Sequence, residues 1–246
     1  KPFRLIERVA LSISRKRRLD KLKHTVAANL KLGHIDSLEL LELIKNDTRI
    51  NSPVIFDIGS NIGTWTLLAK AVFPKATIHA FEPLKHHTAV FNENIRNLEE
   101  IYLHEYCIGN ENASGMINIS SFSDSSSLLE PTQLEYEYFN IKKIGEEKVT
   151  IKRLEDLIRE NILPMPDVIK LDIQGFELEA LKGMGALLRH VKYILCEVSF
   201  KKLYHNQALF LDIANYLESF NLYIAAFGNN TPVGAELTQI DVLFKS

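Results

Sequence analysis

The sequence predicts a doubly wound α/β fold with an antiparallel C-terminal strand, preceded by a helical N-terminal extension. Three observations carry this expectation. From Val54 onward, short apolar runs alternate with amphipathic helical stretches, the pattern of a parallel sheet with helical crossovers. A glycine-bearing turn, Asp57-Ile58-Gly59-Ser60-Asn61-Ile62-Gly63, follows the first run and opens the first of these helices. The last two apolar runs have no helix between them and should pair antiparallel, because a parallel pairing needs a longer crossover.

The chain has 246 residues, 46% of them hydrophobic, enough for one large domain and an appendage. No stretch approaches the roughly 20 consecutive apolar residues that span a bilayer, and the basic start is not followed by a secretory apolar core. Cys107 and Cys196 are the only cysteines, which excludes a disulfide framework and makes a reducing, cytoplasmic setting the expectation. Residues 1–31 hold ten Lys/Arg against Glu7 and Asp20, a charge of +8, so the remainder carries −10. A basic leading segment on an acidic body suits either a solvated helix face or peripheral contact with anionic membrane headgroups. No nucleic-acid-binding motif accompanies it, so no nucleic-acid partner is expected.

The extension comprises residues 1–50. Leu5, Ile6, Val9 and Ile13 share a face in a first helix, and Leu19, Leu22, Val26 and Leu30 in a second. A third helix starts at Asp36 or Ser37, both good N-caps, and runs through Leu40, Leu41 and Ile44. Asn51-Ser52-Pro53 marks the boundary to the main domain, residues 51–246. There, Val54–Ile58 is the first strand, Thr64–Val72 a helix closed by Pro74, and Thr77–Phe81 the second strand. A helix follows from about Lys85 to Arg96, then a third strand over Ile101–Cys107. Residues 109–148 are polar and irregular, an inserted hairpin and loop with short strands at Gly115–Ser120 and Lys148–Lys152. A helix at Leu154–Arg159 leads to strand Val168–Ile173, helix 176–190, strand Tyr193–Val198 and a helix over Gln207–Ser219. Strand Leu222–Phe227, a loop rich in Gly, Asn and Pro, and strand Gln239–Phe244 close the chain.

The glycine turn lets backbone approach a ligand closely, and free N–H groups at the helix start suit a carboxylate or phosphate. Glu82, ending the second strand, is placed to accept hydrogen bonds from both hydroxyls of a ribose. Together they predict an adenosyl or dinucleotide ligand. In the dinucleotide fingerprint the middle glycine makes room for a pyrophosphate, and here that position is Asn61, which favours a ligand with an amino-acid tail.

These residues resemble the FkbM family of methyltransferases over about 54–245. The likeness runs through the Asp57–Gly63 turn, Ala80-Phe81-Glu82-Pro83, Asn94, Ser125-Ser126-Ser127-Leu128-Leu129 and Val149–Leu157. It continues through Ile169-Lys170-Leu171-Asp172-Ile173-Gln174-Gly175-Phe176-Glu177, on to Gly183, and the closing Ile240-Asp241-Val242-Leu243-Phe244. Gln174 departs from the glutamate that many members carry. The resemblance implies a Rossmann-like class I methyltransferase sheet in the order 3-2-1-4-5-7-6. It also implies S-adenosylmethionine as methyl donor, and an acceptor hydroxyl on a sugar, glycan or natural product. Asp57, Gly59, Ser60, Asn61 and Gly63 would then hold the methionine end of the donor, and Pro83 in the matching motif would be a further cofactor-binding residue. Glu82 would hold the ribose, and Ile108 would pack on adenine.

A sugar hydroxyl is a poor nucleophile until deprotonated, so a base or a metal is expected beside it. Ligands of open α/β sheets lie beyond the carboxyl ends of the strands. Asp172 and Glu197 end two consecutive strands there, as catalytic carboxylates or as oxygen ligands of a divalent cation. Asp172 could otherwise cap the turn into the next helix. His205 follows Glu197 on the same edge and is a further candidate base. Two rivals stand: a nicotinamide-dependent oxidoreductase, against which Asn61 speaks, and a catalytically silent binding domain that keeps the fold.

Overall fold

The computed structural model describes residues 2–30, 37–47, 50–233 and 236–246. Helix α1 spans Pro2–Leu22 as one element, where the apolar spacing predicts two helices. The side chains of Leu5, Ile6 and Val9 lie outside the described ones. The second predicted helix stops at Leu22 because Thr25 Oγ1 donates to Leu22 O (2.7 Å) and accepts from Ala27 N (3.2 Å). Such local side-chain bonds offer the backbone an alternative to continued helix. Helix α2, Leu38–Lys45, buries Leu38, Leu40, Leu41 and Ile44 on one face. Asp36 lies outside the described residues, and Ser37 stands at the N-cap position without a capping bond. Arg18 pairs with Glu39, and Lys21 with Glu42 at 2.7 Å, which fastens α1 to α2. Among the described residues no helix is long and apolar enough to cross a membrane.

The domain proper follows as β1 (Val54–Ile58), α3 (Thr64–Val72), β2 (Thr77–Phe81), α4 (Lys85–Ile95) and β3 (Ile101–His104). Next come β4 (Cys107–Ile108), β5 (Ala113–Ser120), α5 (Gln133–Phe139), β6 (Lys143–Lys152) and α6 (Leu154–Arg159). The chain ends through β7 (Val168–Leu171), α7 (Glu177–Met184), β8 (Tyr193–Ser199), α8 (Phe210–Glu218), β9 (Tyr223–Val233) and β10 (Glu236–Lys245). Among the described residues the main sheet runs β3-β2-β1-β7-β8-β10-β9, the expected order. In it β3, β2, β1, β7 and β8 pair in parallel, and β10 lies antiparallel to both β8 and β9.

Both faces of this sheet are covered. Phe56, Ile58, Ile169, Leu171, Ile194 and Cys196 pack under α6, α7 and α8, whereas Ile55, Ile78, Val168, Leu195 and Leu243 pack under α3 and α2. Strands buried on both faces explain the continuous apolar runs at 54–58 and 193–198. The extension is therefore part of the second core, with Leu41 and Ile44 wholly buried in it.

Several expectations are corrected. The third strand ends at His104, and Cys107–Ile108 joins a three-stranded sheet instead, parallel to β6, which pairs antiparallel with β5. Strand β6 begins at Lys143, five residues before the predicted start, and α5 lies in a stretch expected to be irregular. Strand β7 ends at Leu171 instead of Ile173, because Gln174 and Gly175 turn the backbone at φ +54 and +98. The helix after it passes into 3₁₀ turns at Gly185, whose φ is +54. The loop expected before the last strand is hairpin, with β9 and β10 extending to Val233 and Glu236.

Candidate active site

At the carboxyl ends of β1, β2, β7 and β8 a cavity of about 340 Å³ opens. Gly59, Ser60, Asn61, Glu82, Pro83 and Ile108 line it, as do Asp172 and Glu197. Asp57 lies wholly buried beneath, and Gly63 starts α3 with φ +85. His205 is not among the lining residues. It is exposed, and its backbone N–H donates to Glu130 O, so nearness in sequence to Glu197 did not bring it to the site.

The turn after β1 is forced by its neighbours. A Cβ on Gly59, whose φ is +83, would stand 2.0 Å from the carbonyl oxygen of Asp172. The close approach of β7 thus requires glycine. The turn does not leave its N–H groups free, as the sequence suggests. Those of Gly59 and Ser60 donate to Phe81 O, that of Gly63 to Ser60 O, and that of Asn61 to Glu82 Oε2 at 3.1 Å. What remains is the Ser60 hydroxyl and the Asn61 amide oxygen, both buried and without a hydrogen-bond partner. A hydroxyl and a carbonyl left so beside a cavity fit the carboxylate and ammonium of an amino-acid tail.

Glu82 is only 5% exposed, not an open strand end. Its Oε1 accepts from Leu84 N (2.9 Å) and faces His87 Nδ1 (3.2 Å), so the carboxylate ties both loops together while lining the cavity. Glu82→Ala is therefore expected to act twice. It should weaken S-adenosylhomocysteine binding by about tenfold or more and cost about 1–3 kcal/mol of stability through the N–H groups left unpaired. Titration calorimetry and urea unfolding measure the two separately. An unchanged dissociation constant would remove Glu82 from the ligand.

The acidic edge of the cavity is organised by Lys170, a residue with no role legible in the sequence. Strand alternation places Asp57, Lys170, Glu197 and Asp241 on one face of the sheet, with Asp57 opposite Lys170 and Asp241 opposite Glu197 in register. Lys170 Nζ donates to Gly59 O (3.1 Å) and lies 3.5 Å from Asp57 Oδ1 and 3.4 Å from Asp172 Oδ2. Burial opposes its charge, but Asp172, Asp57, Asp241 and Glu197 outweigh burial and hold its pKa above the ordinary lysine value. Thr66 Oγ1 donates to Asp57 Oδ2 at 2.5 Å, yet complete burial still pushes the Asp57 carboxyl up.

The two candidate carboxylates, Asp172 and Glu197, differ in kind. Glu197 lies inside β8, not at its end, and burial followed by the charges of Asp172 and Asp241 raises its pKa well above the usual carboxylate range. Asp172, just beyond β7, keeps 37% of its side chain exposed on the cavity. It does not cap the following turn; Glu177 does, accepting from Ile173 N (3.0 Å) and Gly175 N (3.1 Å). Burial raises Glu177 to about 7 in spite of those two bonds.

A divalent cation does not fit between Asp172 and Glu197. Gln174 Nε2 bridges them, donating to Asp172 Oδ1 (2.9 Å) and Glu197 Oε2 (3.1 Å), and the Lys170 ammonium holds the other Asp172 oxygen. Gln239 Nε2 donates to the same Glu197 oxygen at 2.9 Å. Among the described residues no three His, Cys, Asp or Glu side chains gather as a metal site. Ser127 is structural: its hydroxyl donates to Gln174 O (2.7 Å) and fixes the insertion to the site.

A sequence model described as a methyltransferase FkbM domain matches residues 57–223. The chain is 30% identical over 177 residues to the 2-O-methyltransferase NoeI of Sinorhizobium fredii, covering 69% of this chain and 73% of that protein. It is 30% identical over 153 residues to the hexuronic acid methyltransferase AglP of Haloferax volcanii, covering 59% of this chain and 55% of that one. Among solved structures, the magnesium protoporphyrin IX methyltransferase (ChlM) of Synechocystis PCC 6803 with bound SAM aligns at 12% identity and TM-score 0.47, covering 96% of this chain and 97% of that one.

Proposed function

The chain belongs to the FkbM family of S-adenosylmethionine-dependent methyltransferases, and on that premise we propose that its acceptor is a sugar hydroxyl, methylated on oxygen. The observation that carries this reading is one continuous cavity lined by both the Gly59–Asn61 turn with Glu82 and the exposed carboxylate of Asp172. NoeI and AglP, whose names specify a 2-O and a hexuronic acid methyltransferase, support a carbohydrate oxygen.

Bound S-adenosylmethionine supplies a methyl group on a positively charged sulfur. The chain's own residues do the rest. Ser60 and Asn61 hold the amino-acid end, Glu82 the ribose, and Ile108 offers the adenine an apolar platform. Asp172 takes the hydroxyl proton as the new oxygen–carbon bond forms and the carbon–sulfur bond breaks. Fixing the three atoms in line is the larger part of the acceleration, because a positioned displacement avoids the entropy of encounter. Glu197 is the weaker candidate for this proton transfer, because burial and the charges of Asp172 and Asp241 disfavour its ionised form and its Oε2 already accepts from Gln174 and Gln239. No step is routed through a metal.

Calorimetric titration should show S-adenosylmethionine and S-adenosylhomocysteine binding and NADH silent. Incubation with deuteromethyl donor and a panel of sugars should place the label on a ring oxygen. Tight NADH binding with silence from the other two, or label on nitrogen or carbon, would overturn the reading.

Peripheral contact of residues 1–31 with an anionic membrane surface is a second part of the proposal. Its support is the +8 charge, of which the described ion pairs to Glu39 and Glu42 engage Arg18 and Lys21. Co-sedimentation with anionic liposomes should exceed that with neutral ones and fall with salt. Equal sedimentation with both would leave the segment a structural helix.

A further inference from the structure

Behind the cavity wall, the loop between β8 and α8 meets the segment between β5 and β6. Thr132 N–H donates to Leu203 O and His205 N–H to Glu130 O, each at 2.8 Å. Gln207 fixes the same loop: its Oε1 accepts from the backbone N–H groups of Leu203 (2.8 Å) and Tyr204 (3.2 Å), and its Nε2 donates to Ser199 Oγ (2.8 Å). Clamped in this way, Tyr204 is 1% exposed. Its hydroxyl lies 3.1 Å from Gln174 Oε1, 3.1 Å from Ser125 O and 3.5 Å from Glu135 Oε1. Burial and the surrounding carboxyl groups raise its pKa, so the phenol keeps its proton and is a donor. Gln174 in turn directs its amide protons at Asp172 Oδ1 and Glu197 Oε2. Its backbone sits at φ +54, a conformation that a residue other than glycine holds where its surroundings fix it.

We propose that Tyr204 is a positioning residue for the methyl transfer: its hydroxyl donates to the Gln174 carbonyl oxygen and so fixes the amide that orients the Asp172 carboxylate. Given Asp172 as the base, the reading on which this rests, the hydroxyl supplies the hold that keeps that carboxylate in line. Tyr204 touches no substrate, because Gln174 stands between its hydroxyl and Asp172. A side-chain amide has one donating end and one accepting end. An ionised Asp172 only accepts, so it takes the NH2 and turns the carbonyl oxygen of Gln174 toward Tyr204. Among the described residues the Tyr204 hydroxyl is the donor that this oxygen meets. The carbonyl of Ser125 shares the same proton and ties the segment between β5 and β6 to the arrangement, as does Ser127 Oγ, which donates to Gln174 O. Without the hydroxyl, the Gln174 oxygen is left unpaired and the amide loses the contact that sets its direction. Asp172 would then be held by Lys170 at one oxygen and could swing off the line of attack. Displacements of this kind at the reacting atoms are costly to turnover and cheap to binding.

The test is Tyr204→Phe, which removes the hydroxyl and keeps the ring. Turnover is followed by release of S-adenosylhomocysteine, with methyl glucoside, methyl glucosaminide and methyl glucuronide supplied in turn as acceptor. Hydrogen exchange of the Gln174 side-chain amide is followed by NMR. The variant should lose about ten- to a hundredfold in kcat, the scale of a small misplacement, with the donor KM and S-adenosylhomocysteine affinity near wild type. Tyr204→4-aminophenylalanine, which returns a donor at the same place, should restore most of the rate. In a Gln174→Met background, Tyr204→Phe should cost nothing further, because it acts through the amide already removed. The Gln174 amide protons should exchange more slowly than those of the exposed Gln133 in the wild type, and faster in Tyr204→Phe. Wild-type kcat in Tyr204→Phe beside an impaired Asp172→Asn overturns the inference alone, as do losses that multiply in the double variant. Gln174 protons that exchange as fast as those of Gln133 in the wild type overturn it whether or not a variant folds. Should the wild type turn over none of the three glycosides, exchange left unaltered by Tyr204→Phe overturns the inference and faster exchange supports it. Normal turnover in Asp172→Asn overturns the reading of the base, and the inference with it.

Discussion

An Asp172→Asn variant is expected to lose about 10²–10⁴-fold in turnover while binding S-adenosylhomocysteine nearly as tightly as the parent, the range for loss of a general base. The substitution keeps the shape of the side chain and an oxygen for the bond from Gln174 Nε2, removes the charge, and turns an amide NH2 toward the Lys170 ammonium. The remaining carboxyl cannot substitute. Glu197 is buried, which disfavours its ionised form, and its Oε2 is already engaged by the amides of Gln174 and Gln239. The loss should fall on kcat with little change in KM for the donor, because Ser60, Asn61 and Glu82 on the other strands are untouched. Since Gln174 and Lys170 occupy the positions a cation would need, EDTA should leave wild-type turnover unchanged. Normal turnover in Asp172→Asn would show that Asp172 only partners Lys170.

Lys170→Met should be the most destabilising single change in the site. The side chain is 8% exposed and faces Asp57, which is wholly buried. Removing one partner of a buried ion pair leaves an uncompensated charge and typically costs about 3–5 kcal/mol. For a chain of this length that corresponds to roughly 6–20 °C in Tm. The carbonyl of Gly59 also loses its donor, so the turn that approaches β7 should loosen. Adding Asp57→Asn should restore part of the loss, because the orphaned charge goes with it. Urea unfolding of the single and double variants measures both. A single variant within about 0.5 kcal/mol of wild type, the range of ordinary surface changes, would contradict the role given to the ammonium.

Much of this architecture is legible in the chain itself, and the reasons it stops being so are physical. Val54–Ile58, Thr64–Val72 and Thr77–Phe81 have the bounds that apolar runs and helical spacing predict, because both faces of the central strands are buried. The first half of strand β6, residues 143–147, is not legible because it alternates exposed and half-buried positions and owes its form to pairing with β5, a contact that local composition does not contain. The break between His104 and Cys107 escaped because strand runs on both sides are apolar and only the change of sheet separates them. The place of Gly59–Asn61 and Glu82 on the cavity is legible in the sequence, since a glycine turn after a strand carries its own geometry.

The roles of Lys170 and Asp241 are not legible in the sequence. A lysine within Val-Ile-Lys-Leu and an aspartate within Ile-Asp-Val-Leu-Phe are visible anomalies in buried strands. Their meaning depends on partners across the sheet, Asp57 being more than a hundred residues from Lys170. His205 failed for the opposite reason: sequence neighbours of Glu197 need not share its face.

The central claim is that donor and acceptor share one cavity, with Asp172 between them. A crystal structure of the complex with S-adenosylhomocysteine tests it most directly. The account predicts the ribose hydroxyls on the Glu82 carboxylate, the amino-acid end at Ser60 and Asn61, and the sulfur facing Asp172 across open space that continues to Trp65 and Asp241. A ligand whose sulfur points away from Asp172, or whose ribose lies off Glu82, would contradict it.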